Sequence, residues 1–194
     1  MRKLATFIAI GSLLATVEEF LTVVMLKHDV ASYIFTLLVL FPGFLAFVFF
    51  SSKLINWLTG NGAVRELAHF VIYGSLGLSF EWFLMGLAPW SNPAANHFLM
   101  MLFQLGMFSF WATVAFVPRL YLDAGEPSRR TVRSIFRFYV PYFLVVYAVA
   151  FSVPEAMRFA AVIPLIVLGY LFLNVFYVKY FLASFSHPNR SAEA

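Results

Sequence analysis

Glu18, Glu19 and Glu81 stand inside long apolar runs, the segments of a chain where carboxylates are least expected. An ionisable side chain in hydrocarbon is costly, usually faces the interior of a helix bundle, and marks a candidate site by default. In a low dielectric a carboxyl group favours its neutral form, so such groups can carry protons, serve as general acids or neutralise a cationic ligand. Glu19 lies about eight residues before the polar turn at Lys27, roughly 12 Å along a helix, and Glu81 about seven residues before Ala88, roughly 10 Å. Gln104 follows His97 by a similar interval, and Thr36 and Tyr147 fall at comparable depth in their own runs. Glu18, Glu19, Glu81, His97, Gln104 and Tyr147 are therefore read as one ligand-binding layer in the outer half of a bilayer, with Glu81 and Glu18 as candidate catalytic groups.

Helical spacing supports convergence. Gly11, Ala15, Glu18 and Thr22 share one stripe, and Ser12, Ala15, Glu19 and Thr22 an overlapping one. Gly74, Gly77, Glu81 and Ala88 share another, and His97, Met101, Gln104, Phe108 and Trp111 a third. Small residues let helices approach closely in lipid, so the glycine face should point inward and carry Glu81 with it. Histidine beside carboxylate would suit a metal, but no H-x-x-x-H pair occurs. No metal is assigned, and the sequence names no cofactor.

Composition dictates the elements that must position these residues. Of 194 residues, 62% are hydrophobic and 11% charged, and mean hydropathy is +0.87. A soluble domain is about 25% charged, so a water-facing globular enzyme, a disordered chain and a nucleic-acid-binding module are all excluded. Cysteine is absent, which removes disulfides and thiolate chemistry. A membrane core needs about 20 apolar residues per helix. Six runs qualify, at 4–26, 30–52, 66–88, 97–118, 137–154 and 158–182, forming one all-α transmembrane domain over residues 1–182 with a polar, disordered tail at 183–194. The breaks are Lys27-His28-Asp29, Thr59–Gly62, the proline-rich Pro89–Pro93 and Asp123–Pro127. The fifth run is the shortest, and the alternative to a separate span is a hairpin with the sixth around Pro154-Glu155.

Placing the amino terminus in the cytoplasm puts Arg2, Lys3, Lys53, Arg65, Arg119, Arg129, Arg130, Arg133, Arg137, Lys179 and Arg190 inside and leaves Lys27 and Arg158 outside. Eleven cations against two favours six spans with both termini cytoplasmic, in a plasma membrane of the bacterial inner type. The first run continues past Ala15 without an A-x-A cleavage site and is read as a retained helix. Arg129, Arg130, Arg133 and Arg137, opposite Val132, Ile135, Phe136 and Tyr139, suggest an amphipathic entry to the fifth span with Ser128 as its N-cap and lipid headgroups as its contacts.

Other expectations are structural. Pro42 and Pro164 should kink their helices, Asn174 should bond between helices, and His69 should be a solvated or capping residue. Trp90 belongs to an interfacial belt, in a tight connector or re-entrant cap over Gly86–Pro93. The 25 phenylalanines face lipid or line a cavity. The Glu18-Glu19 pair lacks the E-E-x-x-x-R pattern of intramembrane prenyl-protein endopeptidases, since Val23 holds the arginine position.

Three functions fit these residues. The first is binding or translocation of a small lipophilic or cationic solute, or of protons, at the acidic layer. The second is an intramembrane enzyme acting on an isoprenoid or other lipid by general acid catalysis. The third is a scaffold subunit whose glutamates fix helix register, with a membrane-protein partner or a second copy of the chain.

Overall fold

The computed structural model describes residues 1–59, 62–84, 86, 88–89, 96–123 and 125–186. Six helices follow one another: α1 (Arg2–Leu26), α2 (Val30–Thr59), α3 (Gly62–Leu84), α4 (His97–Leu122), α5 (Glu126–Ser152) and α6 (Glu155–Ser186). No strand occurs among the described residues. Helices α1, α2, α4, α5 and α6 are each long and apolar enough to cross a membrane. Helix α3 spans 23 residues and carries Arg65, Glu66, His69 and Glu81. The bundle thus contains five to six helices compatible with membrane spans.

Helix α4 is the axis. Every residue from Ser109 to Pro118 is buried, and α1, α3 and α6 pack on it while α5 pairs chiefly with α6. Small residues bring the helices together. A Cβ at Gly74 would come within 2.6 Å of the Phe108 ring, one at Gly11 within 2.5 Å of Leu45, and one at Gly77 would overlap Trp111. The inward glycine face expected of α3 is present. Polar seams add directed contacts: Asn174 donates to Ser109 Oγ at 2.8 Å, as the interhelical reading of Asn174 requires, and Tyr177 donates to Thr113 Oγ1 at 2.9 Å.

Phenylalanine does two jobs. Phe41, Phe44, Phe110, Phe116 and Phe143 are buried in a network of edge and tilted ring contacts, whereas Phe47, Phe83, Phe151 and Phe159 lie on the outer face. Large apolar side chains exposed over most of the exterior match a lipid solvent.

Two helices widen into π turns, α1 at Phe20–Leu26 and α2 at Thr36–Leu40. The second precedes Pro42, whose ring and missing N–H are incompatible with a regular α-helical turn before it, so a wide turn is the local accommodation. Between them, His28 takes a left-handed φ of 58° and Asp29 caps α2 by accepting the Ser32 N–H at 2.9 Å. The predicted polar turn is formed there.

Several boundaries differ from expectation. Helix α5 begins at Glu126 rather than 137, because the amphipathic basic segment runs without a break into the apolar run. Ser128 is not its N-cap: Gly125 holds that position, and Ser128 lies buried in the first turn, donating to Asp123 and lying 3.4 Å from the Tyr180 hydroxyl. Helix α2 continues past Ser52 to Thr59, with the hydroxyls of Ser51, Ser52 and Thr59 returned to carbonyls four residues back. Helix α6 extends through Ser186, beyond the predicted start of the tail at 183; residues 187–194 lie outside the described residues, as does most of the Gly86–Pro93 segment with Trp90.

Candidate functional site

Glu18 and Glu19 end the regular α-helical part of α1, and the π turn begins at the next residue. A widened turn disturbs the pairing of nearby carbonyls and recurs at functional sites. Here side chains meet those carbonyls: the Tyr147 hydroxyl donates to Val17 O at 2.9 Å, Thr22 to Glu18 O at 3.1 Å, and Tyr139 to Leu14 O at 2.7 Å. Tyr139 also lies 3.2 Å from the Tyr170 hydroxyl. Two tyrosines of α5 thus bond the α1 backbone just before Glu18 and Glu19, and both glutamates are buried. They are 6% and 8% exposed.

Glu81 reaches the same region from α3 and is 7% exposed. Its Oε1 accepts the indole N–H of Trp111 on α4 at 3.1 Å. The next residue on α3, Trp82, donates to Gln104 Oε1 at 2.6 Å, and Gln104 Nε2 contacts Met100 sulfur at 3.7 Å. Trp111 is held by Phe44 at 4.8 Å and by Phe41 and Phe110 at 5.4 Å between centroids, so the donor to Glu81 has little room to turn. The three carboxyl groups lie within electrostatic reach of one another, and Lys27 is the cation whose field they share. No ion pair joins any of them to a described lysine or arginine. Glu19 Oε2 is buried with no hydrogen-bond partner.

Of the residues picked from sequence, Glu18, Glu19 and Glu81 are thus brought together, with Gln104 linked through Trp82 beside Glu81. Tyr147 and the buried Tyr139 and Tyr170 adjoin Glu18. Thr36 is buried in the second π turn. His97 is exposed in the first turn of α4, and Met101 of the same stripe is also exposed. Arg129, Arg130, Arg133 and Arg137 are exposed along α5 opposite the buried Val132, Ile135 and Tyr139. The amphipathic pattern is present, and a long 3.9 Å pair between Arg130 and Glu126 is its ionic contact.

A second polar centre escaped sequence reasoning. Glu66 accepts Arg119 Nε and Nη2, both at 2.7 Å, and Arg65 Nε at 3.2 Å. Asn56 Oδ1 accepts from Arg119 Nη2 at 3.4 Å and lies 3.1 Å from His69 Nε2. His69 is 1% exposed, so the solvated or capping role expected for it is wrong. The position Glu66–His69 on α3 faces α2 and α4 rather than the end of the bundle, and its spacing of three residues was the signal available. This centre clasps α2, α3 and α4.

Surface cavities are found at both ends of the first helix. One of about 540 Å³ is lined by Met25, Leu26, His28, Glu155, Ala156, Arg158 and Phe159, and one of about 560 Å³ by Met1–Leu4, Phe49 and Phe50. Neither is lined by the three glutamates. No group of histidine and carboxylate side chains suited to a metal occurs among the described residues. Comparison with protein-family models, with curated proteins and with solved structures finds no match to this chain.

Proposed function

We propose that this chain is an integral membrane protein that binds or moves protons or a small cation at Glu18, Glu19 and Glu81. The observation that carries this reading is Glu19 Oε2, a buried carboxylate oxygen without a partner, beside two further buried carboxylates. Leaving such an atom unpaired is costly, and a purely structural role for the layer would leave that cost unexplained. A proton or small cation is the ligand that three buried carboxyl groups suit best. The membrane setting rests on the long apolar helices.

The test is uptake of radiolabelled methylammonium into proteoliposomes holding the full chain. Glu81→Gln keeps an oxygen for Trp111 and should preserve the fold while lowering uptake about tenfold or more, the effect of one charge-assisted contact. Uptake that is equal in both proteins and independent of pH refutes the reading. A changed lipid extract in expressing cells, with no flux, would support the intramembrane enzyme instead.

A further inference from the structure

The cavity between the 27–29 turn and the start of α6 has the chemistry of an anion site with an apolar wall. Arg158 stands in the first turn of a helix of 32 residues, where the helix dipole also favours negative charge. Its Nη1 makes one long contact, 3.5 Å to Met25 O, and its Nε is buried with no partner. A guanidinium presents five donors in a fixed fork. Buried donors in proteins are nearly always paired, and Arg158, which lines this cavity, has no described acceptor beyond Met25 O.

The neighbouring groups leave that role open. Glu155 is engaged by His28 Nε2 at 3.0 Å, and no described carboxylate pairs with Arg158. His28 makes this contact from a left-handed backbone with φ of 58°, a conformation that gathers at ligand clamps. The other walls, Met25, Leu26, Ala156 and Phe159, are apolar. Phe159 is 63% exposed.

We infer that this cavity binds a phosphate-bearing amphiphile, with the phosphate on Arg158 and the hydrocarbon along Met25, Leu26 and Phe159. Planar, bidentate recognition of phosphate is what an arginine fork does best. The site is separate from the carboxylate layer and does not depend on what that layer carries.

The experiment is native mass spectrometry and fluorescence titration of the full chain in an uncharged detergent. The probes are short-chain phosphatidic acid, short-chain diacylglycerol and inorganic phosphate. The expected result is saturable one-to-one binding of phosphatidic acid, weakened about tenfold or more by Arg158→Gln and several-fold by Phe159→Ala, with unchanged thermal unfolding in both variants. Arg158→Lys keeps the charge but not the fork and should fall between. Diacylglycerol binding as tightly as phosphatidic acid, inorganic phosphate binding as tightly, or an Arg158→Gln protein binding as well as the parent would each overturn the inference.

Discussion

Replacing Gly77 with alanine should destabilise the bundle by about 2–3 kcal/mol, although alanine is the better helix former by up to about 1 kcal/mol. The added Cβ would overlap Trp111, which is 2% exposed and boxed in by Phe41, Phe44 and Phe110. Overpacking at such a site costs about 1–3 kcal/mol. Displacing Trp111 also breaks its bond to Glu81, a contact to a carboxyl group worth about 1.5 kcal/mol. Gly43 supplies the control, since a Cβ there meets nothing within 4 Å. Gly43→Ala should stabilise α2 by about 0.5–1 kcal/mol. The assay is unfolding in mixed micelles of rising dodecyl sulfate content, followed by circular dichroism and by tryptophan emission. Equal shifts for the two variants, or a Gly77→Ala protein more stable than the parent, would refute the packing of α3 on α4.

The same assay reads three further changes. Glu81→Leu leaves the Trp111 N–H unpaired and should cost about 1–3 kcal/mol, whereas Glu81→Gln keeps an acceptor and should stay close to the parent. Glu66→Ala strips Arg119 of its bidentate partner and should cost about 3–5 kcal/mol; adding Arg119→Leu should recover most of the loss. Asp29 is held below the ordinary aspartate value of 3.8, first by the Ser32 hydroxyl and then by the Ser32 N–H. A lowered native value stabilises the fold above the unfolded value and loses that contribution as pH falls through the native one. Asp29→Ala should therefore be less stable than the parent at neutral pH, with the difference closing in the acid range below the ordinary aspartate value. A difference that persists or grows on acidification would refute the cap.

Much of the bundle was legible because hydrocarbon imposes a simple rule: long apolar runs separated by polar or proline-rich breaks. The stripe through Gly74, Gly77 and Glu81 was readable for the same reason, since small residues and a carboxyl group on one face leave that face a single favourable orientation. What escaped depended on partners distant in sequence. His69 shares a helical face with Glu66, three residues before it, but that spacing does not show burial until Asn56 and Arg119 are placed beside it. His97 shares a helical stripe with Gln104, yet stands at the exposed start of α4, because periodicity fixes a face and not how far along the axis that face is covered. The π turn after Glu19 has no motif of its own.

Proton flux addresses the carboxylate layer most directly. Proteoliposomes carrying the full chain and an internal pH-sensitive dye would be placed under an imposed potassium diffusion potential, with the parent compared with Glu19→Gln. A flux in the parent that Glu19→Gln reduces about tenfold or more, in a protein that unfolds like the parent, is the expected result, because the unpartnered oxygen of Glu19 is where a proton or small cation would reside. A flux that Glu19→Gln leaves unchanged, or no flux of protons or methylammonium in the folded parent, would contradict a transport or binding role for Glu18, Glu19 and Glu81.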